Sequence, residues 1–259
     1  MYNVVTGTKR SGTSAMMLAL RQAGHPILGF RFPIVLKRNK EVVVTNVGAF
    51  EPVGLEKHDN PGGFWEMGSI TDKTGLLSEH KELGYSGDVV KVIASVLPSS
   101  DPSLINKVIV MARDPRSVID SKVKCKSDPN PITGTKKKVM ALAYICNICT
   151  LLKWLVSNGK SFMPVFFDEM IDNQKVTMKA VCKFLGRGNY RKGARFIDGD
   201  KSHEHTEKAD SKEMLDAISY YNLLVAHDIE SMMKYDLNGT INRIKKISRD
   251  NNIKIKTNN

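Results

Sequence analysis

At 259 residues the chain is long enough to bury a full α/β core, and its hydrophobic fraction of 41% is ordinary for a globular protein. Its net charge of +12 calls for anionic ligands, while four cysteines without disulfide or zinc spacing exclude a disulfide-built or zinc-built scaffold. No apolar run approaches the ~18 residues of a membrane span, and the first strand begins almost at once, so neither a span nor a signal peptide is expected and the cytoplasm is the expected location.

Residues Val4 to Leu20, VVTGTKRSGTSAMMLAL, pass from a strand over 2–6 through a polar loop into an amphipathic helix over 13–23. In such a turn the backbone N–H groups of Arg10 to Ser14 point inward and the positive end of the helix dipole faces the same spot, which suits a phosphate. Gly7 and Gly12 allow the tight path, and Ser11, Thr13 and Ser14 add hydroxyls. The spacing Gly7-x-x-x-x-Gly12 is that of a Walker A loop, but Thr13 stands where the phosphate-reaching Lys belongs, so a triphosphate is poorly served. The cations come earlier, as Lys9 and Arg10.

A poorly patterned stretch with Pro26, Pro33, Pro52 and Pro61 follows, with a hairpin expected around Val42 to Val47. A helix over 67–83 and a strand over 88–93 come next. Lys107 to Ala112, KVIVMA, has the apolar, β-branched make-up of a buried parallel strand. Arg113-Asp114-Pro115 then leads into a helix over 115–125 that carries Ser121. In an open α/β sheet the ligand crevice lies at the carboxyl ends of the strands, so Arg113 and Ser121 should open onto the same crevice as the first loop and grip a second phosphate.

Residues 135–157 read as a long helix in which Cys146-x-x-Cys149 is core packing, not a redox pair. A strand over 162–167 and a helix over 173–185 complete the alternation, which implies βαβ crossovers in a parallel sheet. A basic loop from Arg191 to His205 precedes one helix over 210–236, and the polar tail is expected to fray beyond residue 245. The chain therefore reads as a single domain over 1–245 with a basic tail over 246–259. His203-x-His205 is a surface pair without a ligand set, and no metal is expected.

Arg10-Ser11-Gly12-Thr13-Ser14 resembles the 5′-phosphosulfate loop of sulfotransferases that use 3′-phosphoadenosine 5′-phosphosulfate (PAPS), and Arg113 with Ser121 eight positions later resembles their 3′-phosphate element. Asn60-Pro61-Gly62-Gly63-Phe64-Trp65-Glu66 looks like the N-P-x-G-[FY]-x-E segment of many bacterial members. Lys91 stands on a strand where the family often has a Lys. Phe167-Asp168-Glu169 with Phe184-Leu185-Gly186 resembles the Y-E-D…F-L-G stretch. The resemblance implies a three-layer P-loop NTPase-like fold with a central parallel sheet flanked by helices, PAPS as sulfuryl donor, and a small-molecule or carbohydrate acceptor. It also implies Arg10, Ser11, Gly12, Thr13, Ser14, Arg113, Ser121, Arg191 and Lys192 as donor-binding residues.

Two departures stand beside it. The middle strand has Lys91-Val92-Ile93 where cytosolic members carry Lys-Thr-His, so their general base is missing, and the Gly-Asp after Arg191-Lys192-Gly193 comes late, as Gly199-Asp200-Lys201. Arg191 and Lys192 thus read either as a 3′-phosphate grip or as a basic solvated loop. Lys9 and Arg10 are expected to stabilise the leaving phosphate. Glu66 is the first choice for base, with His58 and Asp59 as alternates, and it reads equally as a carboxylate complementing a helix dipole. The charge excess is read as serving a nucleotide pocket and an anionic acceptor, with no nucleic-acid partner. Lys136-Lys137-Lys138 and the tail count as solvated runs. The rival functions are a nucleoside or small-molecule kinase and a non-catalytic binder of nucleotide or sulfated glycan.

Overall fold

The structure, a computed structural model, describes residues 1–28, 34–38, 41–45, 89–123, 134–197, 210–251 and 253. Strand β1 (Tyr2–Gly7) is buried along its whole length. Helix α1 (Thr13–Gln22) follows it, then β2 (Ile27–Leu28) and an antiparallel hairpin of β3 (Ile34–Arg38) and β4 (Glu41–Thr45). After β5 (Val89–Ile93) come β6 (Ile105–Ala112), α2 (Pro115–Val123), α3 (Gly134–Ser157) and β7 (Ser161–Phe166). The remaining helices are α4 (Phe167–Asp172), α5 (Gln174–Leu185), α6 (Tyr190–Ala194), α7 (Lys212–Val225), α8 (Ile229–Met233) and α9 (Leu237–Asp250).

Five strands form one sheet in the order β2-β5-β1-β6-β7, with every neighbouring pair parallel. Parallel strands covered on both faces must be apolar on both, which is why YNVVTG and INKVIVMA read as near-continuous hydrophobic runs instead of alternating. One face packs on α2, α3 and α7 through Ala141, Leu142, Ile145, Leu152 and Tyr220. The other packs on α1, α4, α5 and α6 through Met16, Leu20, Met170, Met178 and Val181. The architecture is the expected three-layer α/β arrangement with a parallel sheet at its centre.

β1 lies between β5 and β6, with Gly7 in register with Ile93 on one side and Met111 on the other. The loop after β1 therefore emerges at the carboxyl end of the sheet, flanked by the segments that leave both neighbours.

Helix α3 is long and apolar enough to cross a bilayer by length and composition alone, with a mean hydropathy of 1.8 over its best window. Here one face of it, from Ala141 and Leu142 through Ile145 and Ile148 to Leu152 and Leu155, is buried in the core, and α7 and α9 pack on it.

The single helix expected over 210–236 is instead α7 and α8. The break falls at His227, which takes a left-handed φ of 54°, and Asp228 then caps α8 by accepting from the Ser231 N–H at 3.0 Å. Asp236 caps α9 in the same way through Gly239 N–H at 2.9 Å. The fraying expected beyond residue 245 is not seen before Asp250, because Ile244 and Ile247 pack on the core and Ser248 is buried. The hairpin around 42–47 lies slightly earlier, at 34–45, and the helix over 67–83 falls outside the described residues.

Candidate functional site

The loop from Thr8 to Gly12 is folded tightly on itself. Ser11 donates both its backbone N–H, at 3.2 Å, and its hydroxyl, at 2.7 Å, to the Thr8 carbonyl. The Ser11 hydroxyl thus closes the turn, and it is fully buried. Arg10 and Gly12 both take left-handed conformations, with φ of 73° and 92°. For Gly12 this is cheap, whereas for Arg10 it is strain of the kind found where a loop is shaped for a ligand. Gly12 is further required because a Cβ there would run into the ring of Phe167.

α1 begins directly at Thr13, with no acidic residue in its first turn, so its positive end is left for an incoming anion. Ser14 stands in this first turn, and Lys91, buried on β5, donates its ammonium to the Ser14 hydroxyl at 3.0 Å. The sheet register explains the meeting, since Val5 pairs with Lys91 two residues before β1 enters the loop.

The second half of the site leaves β6. Arg113 is only 4% exposed and lies 4.3 Å from the centre of the Phe167 ring. One of its terminal nitrogens reaches the Arg10 carbonyl at 3.5 Å, while Nε and the other are buried without a hydrogen-bond partner among the described residues. Tyr144 on α3 donates to the Arg113 carbonyl at 3.0 Å and fixes the backbone there. Burial pulls the guanidinium below its ordinary pKa; Asp168 works the other way, and Arg10 adds to the lowering. Asp114 accepts from the Arg116 backbone N–H at 2.8 Å and pairs with its side chain at 2.9 Å, which holds the start of α2. Ser121, further along α2, is buried and accepts from Arg10 Nε at 3.0 Å.

The sequence-predicted residues therefore divide. Arg10, Arg113 and Ser121 are joined directly, Ser11, Gly12, Thr13 and Ser14 adjoin them in the same loop and helix start, and Lys9 is exposed beside them. Arg191 and Lys192 do not join them. They stand exposed on α6, which lies along the later part of α1: Asn189 N–H donates to the Ala23 carbonyl at 2.8 Å, and a Cβ on Gly193 would meet the Ala19 carbonyl at 2.8 Å. α1 has ten residues and so is about 15 Å long, which separates that end from the loop. Glu66, His58 and Asp59, the Asn60 to Trp65 segment, Lys201, His203 and His205 lie outside the described residues.

Three contributors had been given no role at the site, although Phe167 and Asp168 lie in the stretch that resembles Y-E-D. The Phe167 ring supports Arg113 and seals Gly12, Tyr144 anchors the Arg113 backbone, and Asp168 supplies counter-charge. Phe167 and Asp168 follow directly on β7, so the rule that ligands meet the carboxyl ends of parallel strands was the available signal. Tyr144 carried none, since its partner is a backbone carbonyl 31 residues away. The Cys146 and Cys149 thiols are free on α3, and burial, with Cys149 adding to it, pushes the Cys146 thiol up to about 11.

No protein-family model matches the chain, and no curated protein matches it either. Among solved structures it is similar to the sulfotransferase domain from the Synechococcus PCC 7002 olefin synthase, with 14% identity over 86% of this chain and 94% of that one, and a TM-score of 0.45. So distant a likeness assigns no residue and no substrate.

Proposed function

We propose that the chain is a cytoplasmic sulfotransferase that moves a sulfuryl group from PAPS to a hydroxyl or amine of a small-molecule or carbohydrate acceptor. The observation that carries this reading is the bond from Arg10 Nε to Ser121 Oγ. It joins the loop after β1 to the segment after β6, the two places where a nucleotide phosphorylated at both its 5′ and 3′ ends would present charge.

Arg113 supplies the test of fit. Two buried guanidinium nitrogens without partners among the described residues are costly unless an anion meets them. A 3′-phosphate held by Arg113 and Ser121 answers that demand, while Gly12, Thr13 and Ser14 at the start of α1 receive the 5′ end. When bound, PAPS supplies an activated sulfuryl group whose leaving oxygen belongs to its 5′-phosphate. Lys9, Arg10 and Lys91 bring positive charge to that end of the crevice, so positioning and electrostatics carry the catalysis. The acceptor proton goes to a base, for which Glu66, with His58 and Asp59 as alternates, is the assignment.

A kinase is disfavoured by Lys91. In a Walker-type loop the hydroxyl at the Ser14 position holds Mg²⁺, and here an ammonium sits 3.0 Å from it and repels a divalent cation. Calorimetric titration with 3′-phosphoadenosine 5′-phosphate beside ATP with Mg²⁺, on the wild type and Arg113→Ala, tests the reading. Tight bisphosphate binding that the substitution weakens and ATP does not match is the expected result. Preference for ATP with Mg²⁺ overturns it in favour of a kinase. Turnover abolished on replacing Glu66, with nucleotide affinity kept, separates an enzyme from a non-catalytic binder.

A further inference from the structure

The net charge of +12 is not gathered at the crevice. Between Gln174 and Ile197 the chain carries seven Lys and Arg and no Asp or Glu, and all seven are exposed. Lys175, Lys179 and Lys183 recur every fourth residue along α5, which places them on one ridge about 6 Å apart, and Arg187 extends the row past the Gly186 cap. Arg191, Lys192 and Arg195 come from α6 and its end, and α6 packs beside α5 with Met178 against Gly193.

The two rows form one patch around Tyr190. Arg191 donates to the Tyr190 hydroxyl at 3.3 Å and its guanidinium lies 5.8 Å from the ring centre. The pKa of the Tyr190 hydroxyl is lowered chiefly by Arg191, with Lys179 and Lys175 contributing, so the α5 ammoniums share that space. A cleft of about 400 Å³ opens beside it, lined by Gly188, Asn189, Tyr190 and Arg191. Phe196 is 48% exposed at the end of the same segment.

Against the expectation of no nucleic-acid partner, we propose that the outward face of α5 and α6 is a docking surface for single-stranded nucleic acid, its phosphates on the lysine ridge and the flanking arginines, its bases on Tyr190 and Phe196. Evenly spaced cations beside the half-buried Tyr190 ring and the exposed Phe196 ring suit a flexible polymer with repeated anions and planar bases. A sulfated polysaccharide would use the charges and leave Phe196 without a role. A bilayer is disfavoured because the apolar face of α5, with Met178, Val181 and Leu185, is buried in the core, which leaves Val176 and Phe196 as the exposed large apolar side chains of the segment, too little for an inserting face. The surface is independent of the donor reading, since it uses no residue of the crevice.

The test is fluorescence anisotropy of a labelled oligo-dT with the full chain, between about 50 and 200 mM salt. Binding that falls steeply with salt is expected. In Lys175→Ala/Lys179→Ala/Lys183→Ala the slope of log affinity against log salt should shrink by about 2, at ~0.7 for each phosphate no longer neutralised. Phe196→Ala should weaken binding about tenfold and leave the slope unchanged. No measurable binding at the lowest salt overturns the proposal. So does heparin held more tightly than the oligonucleotide with Phe196→Ala silent, which marks a glycan surface, and so does binding to phosphatidylserine vesicles that the oligonucleotide does not compete away.

Discussion

Arg10 and Ser121 are 111 residues apart in the chain and 3.0 Å apart in space. This bond ties the first loop of the protein to the helix after β6, and each partner alone has a weak claim on a ligand. Together with the buried guanidinium of Arg113, they leave two donors, Arg113 Nε and one of its terminal nitrogens, without an acceptor among the described residues. Replacing Ser121 by Ala should lower affinity for 3′-phosphoadenosine 5′-phosphate by about tenfold, the worth of one hydrogen bond to a charged group. Calorimetry reads the change directly.

Arg10→Ala should act more on rate than on binding. A cation whose partner charge develops only as the leaving oxygen departs contributes mainly in the transition state, and losing such a group costs on the order of 10²-fold in kcat. Steady-state kinetics with an acceptor found by screening checks the split; an unchanged kcat with a raised KM would assign Arg10 to donor binding alone.

Gly12→Ala should destabilise the fold by about 2 to 4 kcal/mol, because it combines a left-handed φ of 92° with a Cβ driven into the Phe167 ring. Phe167→Leu in the same chain should recover part of that loss and leave the backbone part, which thermal melts of the single and double variants will separate.

Gly193→Ala should lower the melting temperature without touching nucleotide affinity. Its Cβ would meet the Ala19 carbonyl and the Met178 methyl, both at 2.8 Å, pushing α6 off α1 at a cost of about 1 to 3 kcal/mol. A shift in bisphosphate affinity as large as the loss of stability would show that α6 reaches the crevice after all.

Cys146 should resist thiol reagents at neutral pH. With its thiol pushed up to about 11 by burial, the group is protonated below that value and thiolate grows as pH rises towards it. Alkylation of the native protein should therefore quicken by about tenfold per unit between pH 8 and 10. A rate that is already flat at pH 8 would contradict the buried placement.

Legibility in the sequence followed the range of the forces involved. The loop between Gly7 and Gly12, the buried strands and the helix α1 were readable because each depends on residues a few positions apart: apolar runs, a glycine at a left-handed turn, hydroxyls at a helix start. Phe167 supporting Arg113 was not readable, since a ring and a guanidinium 54 positions apart have no common local pattern. Arg191 and Lys192 pose the opposite case. Their local pattern matched a phosphate grip, yet Gly193 seats their helix on the far half of α1.

Local runs of residues thus suffice for a tight, glycine-bracketed loop in a parallel α/β fold, because backbone conformation and hydrophobic burial along a strand or a helix are settled within one element. What surrounds that loop depends on the packed domain. Placing β1 between β5 and β6 brought Lys91 to Ser14 across 77 residues and Ser121 to Arg10 across 111. Strand order results from burial summed over the whole domain, and no local run of residues encodes that sum.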